Sequence, residues 1–342
     1  MKKINWGIIG LGEIAQKFSE GFEEIQNARL LAISSKDSKK LNKFKKNFMI
    51  EEKYVFKNYE DLIFCKDVDI IYIALPNSLH HFWVISSIEN NKNVLVEKPA
   101  TINITEMEDI NSKLLKKKVF FGEAYMYRHH PQIKILIDII KNEEIGNLIS
   151  MKSSFGRNLL NKKKLFFFNK KKKIDFKSRL FNKKLGGGCI LDLGCYTISF
   201  SLLIISLMNK LNYESFKIKN IVREVGDSGV DVNSKAELEY GNDFNSTINA
   251  SFKENLGNKS VINGEKGSIT LNDTWFGSHN IIKIINKESK EIQTKPLKNI
   301  YSYQIENISK NIIDGHTDPV FPACNINESV LNSKIIHSWL ND

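Results

Sequence analysis

Three short stretches of this sequence hold residue types whose spacing suits chemistry. The first is GIIGLGEIA, Gly7–Ala15. Gly10, Gly12 and Ala15 make G-x-G-x-x-A, the pattern with which a chain leaving a strand meets a dinucleotide pyrophosphate. Gly10 permits the tight turn, Gly12 lets the backbone approach the phosphates, and Ala15 allows close helix–strand packing. The helix that begins around Ile14 offers N–H groups and a favourable dipole to an anion. A purely structural glycine turn is the plainer alternative. The second stretch is NVLVEKPA, Asn93–Ala100. Glu97 and Lys98 stand at a strand end, where open α/β sheets take ligands, and Pro99 fixes the turn with a ring that tolerates a cis bond. A lysine there also fits simple solvation. The third is LGGGCILDLGCYTISF, Leu185–Phe200. Gly186–Gly188 permit close approach to a ligand, and Asp192 and Tyr196, four apart, share one face of a helix. A carboxylate and a phenol on an otherwise apolar helix need partners or a task; a helix cap and a satisfied core tyrosine compete with that reading.

The end of the second strand informs on the cofactor. A site for NAD places Asp or Glu there, on the ribose 2′-hydroxyl. This chain has Ser34, Ser35 and Lys36, with Asp37 one step beyond. Two hydroxyls and a cation suit the 2′-phosphate of NADP better, unless the segment is only a solvated turn. Among the arginines, Arg128 and Arg179 are candidates for an oxygen-rich substrate; Arg128 fits an interdomain ion pair equally well. His129 and His130 read as surface or packing residues.

These residues need elements to position them. Short apolar runs at 4–9, 29–34, 69–74, 93–97 and 119–125 alternate with helical patterns at 14–23, 39–48, 80–90 and 104–117. That alternation predicts βαβ units and a parallel sheet, with strands apolar on both faces. Beyond Pro131 the texture changes. A helix over 132–142, a strand over 148–155 and a helix near 192–208 precede strand-like segments between 215 and 295, separated by turn signals such as GN and NG. An amphipathic helix closes the chain at 326–340. The expected class is α/β, with domains at 1–125 and 126–342.

Taken in order, GIIGLGEIA, ALPNSLHH (74–81), EKPA, YRHHP (127–131) and SRLFNKKLGGGCILDLGCYTI (178–198) resemble the Gfo/Idh/MocA oxidoreductase family. The resemblance covers Gly7 to about Phe200. It implies a doubly wound Rossmann domain, then an α+β domain whose open antiparallel sheet commonly forms a homo-oligomer interface. It implies Lys98, Tyr196 and Asp192 as the catalytic group, with Asn77, His80, Glu97 and Pro99 around the cofactor. Tyr196 stands where the inositol dehydrogenases of the family carry His, which is more like the dihydrodiol, xylose and glucose–fructose oxidoreductase branch. That branch favours NADP, in agreement with Ser35 and Lys36. The expected reaction moves a hydride between nicotinamide and a carbinol or carbonyl of a sugar or cyclic diol. Tyr196 is the first candidate base, with Lys98 holding the same oxygen; the reverse assignment stays open. A nucleotide-sugar dehydrogenase of surface-polysaccharide biosynthesis and a non-catalytic NADP-binding regulator are the alternatives.

Composition narrows the classes. With 42% hydrophobic and 26% charged residues among 342, the chain is globular. Its net charge of +11 is concentrated in residues 161–184, which hold ten lysines, one arginine and one aspartate. Only five of the 50 basic residues are arginine, the better reader of phosphates and base edges, so specific nucleic-acid binding is not expected. The lysine-rich segment is expected to be an exposed loop. The run 193–208 lacks charge but is short of a bilayer span, and glycines interrupt the apolar start before any cleavage site; neither membrane insertion nor export is expected. Four cysteines without metal-type spacing fit reduced thiols in a cytoplasmic protein. No metal site is expected.

Overall fold

A computed structural model describes residues 2–163, 169–171, 174–208, 215–241, 244–277, 281–285, 288–294 and 299–341. In chain order the N-terminal elements are β1 (Ile4–Ile9), α1 (Glu13–Glu20), β2 (Ala28–Ser34), α2 (Ser38–Asn47), β3 (Val55–Phe56), α3 (Tyr59–Phe64), β4 (Ile70–Ile73), α4 (His80–Glu89), β5 (Asn93–Glu97), α5 (Ile104–Leu114) and β6 (Phe121–Ala124). There follow α6 (Pro131–Lys141), β7 (Leu148–Gly156), β8 (Asn161–Lys163), β9 (Asn169–Lys171), a π turn (Ile190–Gly194) and α7 (Cys195–Ile205). The remainder comprises β10 (Phe216–Val225), β11 (Asp231–Tyr240), β12 (Asn245–Ser251), β13 (Ser260–Gly264), β14 (Gly267–Leu271), β15 (Ile281–Ile285), β16 (Glu288–Ile292), α8 (Ile300–Ile313) and α9 (Ile326–Asn341).

The chain separates into two compact units: Met1–His130 with Pro296–Val330, and Pro131–Lys295 with Leu331–Asp342. It therefore does not divide at a single point near residue 125. The segment around α8 belongs to the first unit because it buries polar pairs there. The Trp6 indole donates to Ser309 Oγ at 2.9 Å, and Ser302 Oγ donates to the Gly21 carbonyl at 2.9 Å.

In the first unit six parallel strands lie in the order β3-β2-β1-β4-β5-β6. The order reverses around β1, so ligand-bearing turns gather outside the carboxyl ends of β1 and β4. The central strands are buried on both faces, Ile70–Ile73 along its whole length, as parallel strands covered by helices must be.

The second unit holds an eight-stranded sheet, β10-β11-β12-β7-β13-β14-β15-β16. It is mixed rather than wholly antiparallel, because β12 runs parallel to β7. Helix α7 is buried along its whole length. It lies in Lys183–Ile205, the one helical stretch among the described residues apolar and long enough to span a membrane. Inside the unit its serines find partners: Ser201 Oγ lies 2.6 Å from Ser246 Oγ and 3.2 Å from the Tyr240 hydroxyl. Within the lysine-rich segment, β8 and β9 pair antiparallel; residues 164–168 and 172–173 lie outside the described residues.

Candidate active site

The glycine turn leaves β1 as its spacing requires. Gly10 has φ +90°, and a Cβ there would sit 2.5 Å from the Ala74 carbonyl oxygen, so only glycine fits. Gly12 is the N-cap of α1 and supplies no side-chain cap. A Cβ on it would meet nothing within 4 Å. An open backbone at an uncapped helix start is what a pyrophosphate needs, so these residues fit a dinucleotide. Ile14 is half-buried on the first turn of α1.

At the end of β2, Ser35 is buried and its hydroxyl accepts the Asp37 N–H at 3.2 Å. Asp37 caps α2, its carboxylate taking the Lys39 and Lys40 N–H groups at 2.9 and 3.2 Å. Lys36 is exposed, with its ammonium 5.6 Å from the centre of the Tyr59 ring.

The turn after β5 is gripped from several sides. The Lys98–Pro99 peptide is cis, and Lys98 is half-buried. Tyr72 donates its hydroxyl to the buried Glu97 carboxylate. His80, wholly buried, sets Nδ1 2.9 Å from the Pro99 carbonyl oxygen and Nε2 2.8 Å from that of Leu75. Asn77 is buried one turn earlier. Glu97 and His80 thus shape the turn that presents Lys98.

In the second unit, Gly188 has φ +119° and a Cβ there would lie 2.3 Å from Asp231 Oδ1. Asp231 also accepts the Ile190 N–H at 2.6 Å, so one carboxylate fixes the start of the π turn. Asp192 lies inside that turn rather than on a continuous α-helix with Tyr196. The expected α-helical face is therefore corrected: the turn is wider at Asp192, a distortion frequent at functional sites. Arg179 Nη1 lies 3.2 Å from Asp192 Oδ1; the arginine side chain is 56% exposed and the aspartate 14%. Tyr196, 6% exposed, packs its ring edge-on to Phe155 at 5.3 Å and tilted against Trp275 at 5.5 Å. The Arg157 guanidinium covers Phe155 and Phe276 at 5.5 and 5.4 Å.

Arg128 is not open to a substrate. It is fully buried, and its Nη1 lies 3.0 and 3.1 Å from the Glu328 carboxylate oxygens and 3.2 Å from the Pro322 carbonyl. The ion pair lies within the first unit, which corrects both readings of this residue. Nearby, Asp318 is pushed up to about 6 by burial; the Ile326 N–H it accepts opposes the shift and the Glu328 charge adds to it. A carboxyl with a raised folded pKa contributes stability that is full below its unfolded value, near 4, and is lost as pH rises through 6. Asp318→Asn should therefore gain in Tm relative to wild type between pH 4 and 7. A constant difference across that range would show that Asp318 titrates like an unfolded aspartate.

The fold and these two clusters define a class: an oxidoreductase built on a nicotinamide-dinucleotide-binding Rossmann unit and a separate sheet unit. Residues 4–125 match the oxidoreductase family with an NAD-binding Rossmann fold, and residues 133–270 match the GFO/IDH/MocA C-terminal domain. The chain belongs to the Gfo/Idh/MocA oxidoreductase family. Among curated relatives, trans-1,2-dihydrobenzene-1,2-diol dehydrogenase of Xenopus tropicalis is 27% identical over 320 residues, covering 91% of this chain and 89% of that one. The Homo sapiens enzyme of the same name is 23% identical, covering 83% and 79%. Among solved structures, an aldose-aldose oxidoreductase from Caulobacter crescentus superposes with a TM-score of 0.84 at 20% identity, over 99% of this chain and 97% of that one. A levoglucosan dehydrogenase with NADH and levoglucosan gives 0.83 at 16%, over 99% and 96%. A 3-ketoreductase from Actinomadura kijaniata with NADP and TDP-benzene gives 0.82 at 20%, over 98% and 97%.

Sequence reasoning passed over Glu123, Asp231, Phe155 and Trp275. Glu123 carries a signal, since a carboxylate inside an apolar strand needs a reason; Asp231 opens the largely polar β11 and carries none. The aromatic residues carry none until the sheet brings β7 and the segment after β14 to Tyr196.

Proposed function

We propose that the protein is a cytoplasmic NADP-dependent oxidoreductase acting on a carbinol or carbonyl of a sugar or cyclic diol. The observation that carries the cofactor preference is the capping role of Asp37. Its carboxylate is spent on the first turn of α2, which leaves Ser35 and Lys36 at the end of β2 without an acid to repel a 2′-phosphate. Lys36→Asp should weaken NADPH binding by about one to two orders of magnitude, the worth of a charge-assisted hydrogen bond. Equal wild-type affinity for NADPH and NADH would sink the preference.

Bound nicotinamide supplies the hydride acceptor or donor. The chain's residues handle the rest. Gly10 and Gly12 admit the pyrophosphate, and the N-terminus of α1 neutralises part of its charge. Tyr196, as its phenolate, takes the proton of the reacting carbinol or, as the phenol, gives its proton to a carbonyl. Lys98, through its charge, stabilises the reacting oxygen as it becomes negative. Asp192, held by Arg179, accepts from a second substrate hydroxyl. Phe155 and Trp275, stacked on each other, hold the Tyr196 ring in place.

A nucleotide-linked sugar is the second reading, favoured by the Arg157 guanidinium over Phe155 and Phe276, a cation for a diphosphate. Homo-oligomerisation through the eight-stranded sheet accompanies either reading, and light scattering reports it. The direct test is a panel of sugars, diols and nucleotide-linked sugars read at 340 nm with each cofactor. NADPH-linked turnover of a sugar or diol supports the proposal; tight NADPH binding without turnover would instead identify a sensor.

A further inference from the structure

Glu123 is a buried acid that no step above uses. It lies on β6, is 6% exposed, and pairs in register with Val96 of β5. Its Oε1 accepts the Ala100 N–H at 2.9 Å, and Ser329 and Tyr125 hydrogen-bond the same carboxylate. Burial pushes its pKa up, against the pull of those bonds and of the Arg128 charge. An apolar residue would fill this strand position without that cost, so the carboxylate answers a local need.

The need lies in the turn that carries Lys98. The β5–β6 register ends at the pair Glu97–Ala124, so Lys98 is the first residue past the ladder. Pro99 has no N–H to offer. The next backbone groups are the Pro99 carbonyl and the Ala100 N–H. His80 lies 2.9 Å from the first, and Glu123 accepts the second. Side chains hold the turn where the ladder no longer does.

We propose that Glu123 is a positioning residue: by accepting the Ala100 N–H it fixes the backbone of the turn and so places the Lys98 amine. Its reach matters, not its charge. This rests on the reading of Lys98 as the group that binds the reacting oxygen.

Two variants separate reach from charge. Glu123→Gln keeps an oxygen at the same reach for the Ala100 N–H and removes the charge. Glu123→Asp keeps the charge and shortens the reach by one methylene. Glu123→Asp should lower kcat about tenfold to a hundredfold, since misplacement by about an ångström costs that much. The KM for NADPH should stay within about threefold. Glu123→Gln should restore kcat to within about threefold of wild type.

Reductive methylation of Lys98, followed by mass spectrometry over a pH series, gives a readout that needs no substrate. Its rate should change several-fold in Glu123→Asp and return in Glu123→Gln, while Lys113 is unaffected in both. Unchanged Lys98 reactivity in a folded Glu123→Asp protein would overturn the proposal. So would Glu123→Gln losing as much kcat as Glu123→Asp. Lys98→Met is the control for the underlying reading: wild-type turnover in that variant discards the role of Lys98, while the labelling result still decides what Glu123 does.

Discussion

Tyr196→Phe should lower kcat by roughly 10²–10⁴, the usual worth of a positioned acid–base group, with Tm and cofactor affinity close to wild type. The separation follows from the packing. Phe155 and Trp275 touch the ring of Tyr196, and phenylalanine keeps that ring. Lys98→Met should cost a similar factor. The double variant should cost far less than the product, because groups that act as a unit are non-additive. Asp192→Asn should be milder and fall mainly on KM, since an amide oxygen still accepts from Arg179 and from a substrate hydroxyl. Steady-state kinetics from pH 5 to 10, with the substrate the panel identifies, check all four enzymes. A Tyr196→Phe enzyme of normal rate would make the phenol structural and leave Lys98 as the base.

Much of the first unit was legible because its signals are local. The strand read at 93–97 coincides with β5, since an apolar run bounded by polar turns has few other conformations. The glycine turn declared itself through the residue types its backbone demands. What pattern cannot carry is which distant segment returns to cover an element. Ser309, 303 residues from Trp6, meets its indole and draws α8 into the Rossmann unit. The short β3 and α3 lie below the length at which periodicity speaks. Asp192 and Tyr196 keep an i, i+4 spacing whether the turn between them is α or π, so the widened turn left no mark in the sequence. Lys36 and Asp37 were both readable at the end of β2, but Asp37 as the cap of α2 emerges only with the helix.

Arg128 shows the same limit from the other side, and the largest loss of stability is expected there. Beside two histidines and a strand end it reads as a residue of a binding site. Its partner, Glu328, stands 200 residues away and 3% exposed. Glu328 has a second task at the start of α9: Asn325 Oδ1 accepts the Glu328 N–H at 2.9 Å, and Glu328 Oε2 accepts the Asn325 N–H at 3.3 Å, a reciprocal capping box. Arg128→Leu leaves that carboxylate buried and uncompensated, so it should cost about 3–5 kcal/mol. Arg128→Lys should recover only part, because one ammonium cannot reproduce the rigid guanidinium, whose Nη1 meets Glu328 and Pro322 while Nε donates to the Tyr127 hydroxyl. Glu328→Gln added to Arg128→Leu removes the stranded charge and keeps a cap, so the pair should be more stable than Arg128→Leu alone. Denaturant unfolding of the three variants gives the ordering. If Arg128→Leu instead unfolds like wild type and raises the KM for substrate, the guanidinium belongs to the binding site and the ion pair is incidental.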